Sequence, residues 1–322
     1  MISFGDLYAS ESNSPSGSTP ALPMPLEDYT RFGRQMILSS VGLSGQLNLR
    51  NASVMVIGAG GLGCPALLYL ARAGVGRIAI VDHDQVEVSN LHRQVLHTNL
   101  TVGMNKADGA SSGIKIDVYP VRFSAETLTT NQGSLPPLSE FSILLDCTDN
   151  ADTRYLISDA CAASGLTLVS GAAIRTEGQL SVWNLPIPDT QRGPCYRCIF
   201  PEPIESRLEQ RCEDEGVLGP IVGLVGVLMA LETIRLLIGT HGSSSLHSKL
   251  LLVPSFRTIK LRKAQVNCRG CSPTAQLEFR NKLNQSISST HQPKTCGRSA
   301  LPDGTVRCFE RVSADVSKLL SF

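Results

Sequence analysis

Residues Val54–Asp82 read V-M-V-I-G-A-G-G-L-G-C-P-A-L-L-Y-L-A-R-A-G-V-G-R-I-A-I-V-D. Val54–Ile57 is an unbroken apolar and β-branched run, as a strand buried on both faces requires. Gly58, Gly60, Gly61 and Gly63 follow at once. Glycine there permits a tight turn and lets the backbone approach a phosphate with no Cβ in the way. Leu62–Ala73 reads as a helix whose N-terminal amides face that turn, with Pro65 in its first turn, where a missing N–H costs little. Gly74 and Gly76 end it. Ile78–Val81 is the next strand, and Asp82 closes it, placed to bond ribose hydroxyls. Strand, glycine turn, helix and strand-end acid together predict a nucleotide site on a Rossmann-like α/β sheet.

The units around it extend the same pattern. Leu26–Leu49 has a helical apolar face built on Tyr29, Phe32, Met36, Ile37 and Leu38. Asp82–Asn99 is a long polar connection of the kind that carries function. Strands are expected at Ile116–Phe123, Ile143–Asp146 and Leu166–Ser170, with a helix at Ala151–Ser164. Gly178–Trp183 alternates in the manner of an antiparallel strand. The predicted fold is a mostly parallel sheet flanked by helices, extended by antiparallel strands. Met1–Pro25 reads as a disordered leader, and Ser272–Phe322, rich in Ser, Thr, Asn and Gln, as a tail with a short helix near its end.

The chain has 322 residues and a formal net charge of +1, with 5% aromatic residues. That composition gives no electrostatic or stacking case for direct nucleic-acid binding, nor for an anionic membrane surface. The start lacks a basic, then apolar, signal segment, so a cytoplasmic location is expected. Val217–Leu231 is uncharged but shorter than a span, and Glu232 and Arg235 follow. It reads as a helix buried in a core or a subunit interface, where Gly219, Gly223 and Gly226 admit close neighbours.

Ten cysteines in such a chain call for metal or catalysis before disulfides. Cys195-Tyr-Arg-Cys198 and Cys268-Arg-Gly-Cys271 each match one edge of a tetrahedral Zn²⁺ site. A redox role for one pair is the competing reading. Cys212 sits alone in a polar stretch. Cys64, Cys147 and Cys161 lie in apolar elements and read as inert core thiols.

These motifs resemble the ubiquitin-activating-like adenylyltransferases, the ThiF/MoeB type. The match is carried by G-A-G-G-L-G at Gly58–Gly63, D-x-D-x-V-E-x-S-N-L-x-R-Q at Asp82–Gln94, Asn105-Lys106 and D-C-T-D-N at Asp146–Asn150. R-F-G-R-Q at Arg31–Gln35, G-P-C-Y-R-C at Gly193–Cys198 and C-x-D-E-G-V-L-G at Cys212–Gly219 add to it. They narrow it to enzymes that activate the molybdopterin-synthase small subunit and the ubiquitin-related modifier of tRNA thiolation. The resemblance spans Leu26–Cys271. It implies an adenylation domain there, which binds ATP and Mg²⁺ through Gly58, Gly60, Gly61, Gly63, Asp82, Asp84, Ser89, Asn90, Leu91, His92, Arg93, Lys106, Asp149 and Asn150. Within that set Asp149 takes the metal. The resemblance further implies a small ubiquitin-like (β-grasp) sulfur carrier ending in Gly-Gly as partner and Cys212 as a thioester cysteine. It also implies a homodimer in which Arg34 reaches the neighbouring ATP site. About 50 residues follow Cys271, too few for the rhodanese domain of such relatives. Sulfur transfer is therefore expected from a separate sulfurtransferase. A nicotinamide or flavin oxidoreductase and a non-catalytic zinc-stapled scaffold are the alternative readings.

Overall fold

The computed structural model describes residues 22–109, 115–129, 135–186, 192–201, 216–239, 246 and 248–288. Five parallel strands come first: β1 (Ser53–Ile57), β2 (Arg77–Val81), β3 (Lys115–Tyr119), β4 (Ile143–Asp146) and β5 (Thr167–Ile174). Antiparallel β6 (Glu177–Trp183), β7 (Lys249–Val253) and β8 (Arg257–Lys260) continue from β5, giving an eight-stranded sheet in the order β3-β2-β1-β4-β5-β6-β7-β8.

The apolar run of β1 has a simple cause. Val54 and Val56 enter one core while Met55 and Ile57 enter the other, because successive side chains point to opposite faces. On the first face lie α2 (Gly42–Asn51), α3 (Gly63–Ala73) and α7 (Gly219–Ile238); on the second lies α5 (Ala151–Ser164). The chain lays β2 and β3 to one side of β1, then crosses to lay β4 and β5 on the other. The strand order therefore reverses between β1 and β4, the position where open α/β sheets bind ligands. Ile57 is in register with both Val81 and Asp146, so Gly58, Asp82 and Cys147 leave the sheet at one level.

The structure departs from the sequence expectations in several places. The single helix expected over Leu26–Leu49 is two, α1 (Leu26–Met36) and α2, because the chain turns at 37–41 and enters α2 through Gly42 at φ +58°. The apolar helix α7 is long enough by composition to cross a membrane, but half of its most apolar window is buried against α2, α3 and β5. A Cβ at Gly226 would come within 2.3 Å of the Leu62 carbonyl, whereas one at Gly223 would meet open space. The segment read as an aperiodic tail opens with a helix, α8 (Pro273–Ser288). Tertiary contact supplies what its weak pattern lacks: Phe279 joins the second core and Arg280 Nε donates to Ala163 O at 3.0 Å. The leader up to residue 21 and the end of the tail, with Cys296 and Cys308, lie outside the described residues.

Candidate functional site

The ends of β1, β2 and β4 open into a cavity of about 650 Å³. It is lined by Gly58, Gly60, Gly61, Asp82, Asp84, His92, Arg93, Lys106, Asp149 and Asn150, ten of the residues expected from sequence. The glycine turn is built by exclusion. Gly58 has φ +96°, and a Cβ there would meet the Cys147 carbonyl at 2.7 Å; a Cβ on Gly63 would meet the Gly58 carbonyl at 2.0 Å. Gly63 thus serves the turn by packing and does not line the cavity. Helix α3 begins at Gly63, so the positive end of its dipole faces the opening.

Asp82 is only 8% exposed and organises that turn. Its Oδ2 accepts from Ala59 N–H at 2.7 Å and its Oδ1 from Asp84 N–H at 2.9 Å. Each carboxylate oxygen retains acceptor capacity toward the cavity. Lys106 is also 8% exposed and its Nζ donates to Asp84 Oδ2 at 3.0 Å. Burial pushes the Asp84 carboxyl up, but Lys106, aided by His83 and Arg122, outweighs it and holds the pKa below the ordinary value. Asp149 is exposed at the end of β4.

Other expected residues act at one remove. Ser89, Asn90 and Leu91 belong to a tight turn away from the cavity wall. There Ser89 Oγ donates to Glu87 at 3.0 Å, and Asn90 Oδ1 accepts from Arg93 Nη2 at 2.6 Å, aiming an arginine that does line the cavity. Asn150, which lines the cavity, also caps α5, its Oδ1 accepting from Thr153 N–H at 3.0 Å. Arg34 is exposed on the last turn of α1 and does not line the cavity of its own chain. Cys212 lies outside the described residues.

Four residues went unrecognised in the sequence. Arg154 donates to buried Asp146 at 2.8 Å and to the Thr148 carbonyl at 2.9 Å. Burial opposes its charge, but Asp146 and then Tyr196 outweigh burial and raise its pKa. His97, in the loop after Asp82, is buried and bonds the Ala59 carbonyl through Nε2 at 3.1 Å. Gln94 is buried in the wall, and its Oε1 finds no hydrogen-bond partner among the described residues, as a ligand-facing group would. Arg122 lines the cavity beside His83. An arginine in the first turn of a helix that follows a strand-end acid was the one signal available for Arg154.

Away from the cavity, the Sγ atoms of Cys195, Cys198, Cys268 and Cys271 lie within 4.8 Å of one another. The separations Cys195–Cys268 and Cys198–Cys271 are 3.5 Å, and Cys195–Cys198 is 3.8 Å. A tetrahedron with Zn–S bonds of about 2.3 Å has edges of about 3.8 Å, so this cluster fits a zinc site. Hydrogen bonding within the cluster pulls Cys198 and Cys268 toward thiolate and holds Cys195 and Cys271 as thiols. By contrast, burial pushes Cys64 up to about 12 and raises Cys147 and Cys161 as well, as inert core thiols require.

Comparison with known proteins agrees with this geometry. The family model described as the ThiF family matches residues 32–270. "Adenylyltransferase and sulfurtransferase uba4" of Neosartorya fischeri is 45% identical over 304 residues, covering 92% of this chain and 60% of the relative. "Adenylyltransferase and sulfurtransferase MOCS3" of Culex quinquefasciatus is 47% identical over 255 residues, covering 78% of this chain and 57% of the relative. The chain thus spans about three fifths of the length of the curated relatives it matches. Among solved structures, E. coli MccB with ATP superposes with a TM-score of 0.60 at 20% identity, covering 75% of this chain and 73% of that one, a likeness of fold.

Proposed function

Since the chain belongs to the ThiF family, we propose that it uses ATP to adenylate the C-terminal Gly-Gly carboxylate of a ubiquitin-like sulfur-carrier protein. The observation that carries this reading is the convergence of the glycine turn, Asp82, Arg93, Lys106 and Asp149 on one cavity at the reversal of strand order. Nothing in that set is suited to hydride transfer. In the proposed step a carboxylate oxygen of the carrier bonds to the α-phosphorus as the bond to the β-phosphate oxygen breaks. Pyrophosphate leaves with the electron pair and an acyl-adenylate remains. Lys106 and Arg93 offset the negative charge that gathers on the phosphates, and the glycine turn lets backbone amides approach them. Asp149 would hold Mg²⁺, which supplies further charge neutralisation.

The activated carrier would then serve tRNA wobble-uridine thiolation, molybdopterin biosynthesis or both, with Cys212 as acceptor of the acyl group. The names of the uba4 and MOCS3 relatives support an adenylating role. We further propose that the four-cysteine cluster binds zinc and that Leu26–Cys271 forms the adenylation domain. A homodimer would bring Arg34 to the neighbouring cavity. Arg34's absence from its own cavity and the exposed apolar residues Ile37, Leu100, Leu218 and Leu231 support it. The seven described cysteines are unbridged, in keeping with a proposed cytoplasmic setting.

The test is ATP–pyrophosphate exchange with small β-grasp proteins ending in Gly-Gly, each beside a version lacking the last glycine. Exchange that depends on one intact tail is expected. Asp149→Ala should lower it by about 10²–10³-fold. Full exchange in that variant would refute the role of Asp149. No exchange by the native chain with any carrier would leave the non-catalytic scaffold.

A further inference from the structure

Gln94 follows the turn that carries Asn90 and Arg93, and its backbone is fixed on both sides. Its amide donates to the Asn90 carbonyl at 3.0 Å, and its own carbonyl accepts from the His97 amide at 3.0 Å. His97 in turn pins the segment to the Ala59 carbonyl at 3.1 Å. A Cβ on Gly219 would lie 2.7 Å from the His92 carbonyl, so the start of α7 closes on the same turn. The Gln94 side chain is held differently. The residue is 3% exposed and lines the cavity, yet its carboxamide makes no hydrogen bond among the described residues. Its Nε2 lies beside the glycine turn, 3.6 Å from where a Cβ on Gly60 would stand. Burying a carboxamide without partners is costly, and most buried polar side chains are paired. The neighbouring side chains of Asn90, Arg93 and His97 all are, so the unused amide is particular to Gln94.

We propose that Gln94 is a further nucleotide-binding residue: its Nε2 donates to a phosphate oxygen of ATP held against Gly60 and Gly61. This rests on the reading of the cavity as an ATP site. The surroundings select a phosphate rather than another part of the nucleotide. The N-terminus of α3 and the Arg93 guanidinium make this part of the wall positive, which favours an anion. A phosphate oxygen has lone pairs and no proton to give, so the N–H end of the amide is the end it can use. Because the amide is neutral, it adds direction without adding charge, while Arg93 and Lys106 supply the attraction.

The two ends of the amide define the test. Gln94→Met removes both and keeps the length of the side chain. Gln94→Glu keeps an acceptor and replaces the donor with negative charge. In the full chain, Mg²⁺–ATP affinity is measured by calorimetric titration, alongside the thermal midpoint without nucleotide. Gln94→Met is expected to bind about five- to tenfold more weakly, with a midpoint no lower than native, since it gives up no side-chain bond within the protein. Gln94→Glu should lose about a hundredfold, because a carboxylate set beside phosphate repels it. Native affinity in Gln94→Met would overturn the proposal. So would a loss in Gln94→Met beside near-native affinity in Gln94→Glu, since the ligand group would then be a donor, such as a ribose hydroxyl. A loss that appears only together with a lowered midpoint would overturn it as well, since that is packing support alone. A native chain that binds no Mg²⁺–ATP would instead overturn the reading of the cavity beneath it.

Discussion

The cavity and the cysteine cluster are both built from polar ligating groups, yet they are assembled in opposite ways. The cavity draws on short consecutive stretches, each leaving the end of its own strand, and stays open. Its charged groups already have internal partners, Lys106 on Asp84 and Arg93 on Asn90, so they are held in place without a ligand. The cluster joins segments 73 residues apart and is closed, with Cys195, Cys198 and Cys268 buried and Cys271 partly so. The strand ends can remain open because the sheet beneath them is already complete. The cluster's ligands come from a short turn and a loop rather than from strand ends, so the ligands themselves must close it, and removing one should damage stability before it damages binding.

The largest expected effect tests that contrast from the cluster side. Cys198→Ser removes one of four thiols, and a structural zinc site of this kind contributes on the order of 10 kcal/mol, comparable with the whole stability of a domain. The variant should purify without zinc and lack a cooperative thermal transition at physiological temperature. A metal-free variant that melts like the native chain would erase the contrast and assign the hold to the Arg197–Asp159 pair. A smaller effect is expected on the cavity side. The Cβ of Gly63→Ala would lie 2.0 Å from the Gly58 carbonyl, so the turn must shift, at about 1–3 kcal/mol. That variant should stay folded and keep its zinc while Mg²⁺–ATP binding is lost. Retained binding would show that the turn tolerates a displacement its packing argues against.

The same contrast explains what could be read in the sequence. The glycine turn, Asp82 and the Asp146–Asn150 end were legible because each is fixed by neighbours a few residues away. The four cysteines were legible as a donor set, though only the fold brings Cys195 to Cys268. Helix α8 was not, because one anchor, the Ala163 carbonyl, lies more than a hundred residues earlier. Asn150 lines the cavity and also caps α5, while Asn90, off the cavity wall, aims Arg93. Capping and side-chain aiming depend on local geometry that a motif does not record.

His97 gives the finest comparison, since it ties the loop after Asp82 to the glycine turn and, unlike a thiol cluster, answers to mild pH. Burial is the main cause that lowers its pKa from 6.5; the bond to Ala59 O opposes it, while Lys106 lowers it further and Asp82 raises it. A base with a depressed folded pKa takes up its proton more readily when unfolded. Its contribution is therefore complete above about pH 6.5 and is lost as pH falls from there through the folded value. One proton sets a limit of about 1.4 kcal/mol per pH unit. His97→Gln keeps an N–H to offer the Ala59 carbonyl but has nothing to titrate. Urea unfolding from pH 7.5 to 5 should show the native chain losing more stability than the variant, with the two curves parallel above pH 7 and converging below 6.5. Curves that stay parallel throughout would mean that the His97 imidazole is protonated as readily in the folded chain as in the unfolded one. The glycine turn would then owe its hold to Asp82 rather than to a buried neutral imidazole.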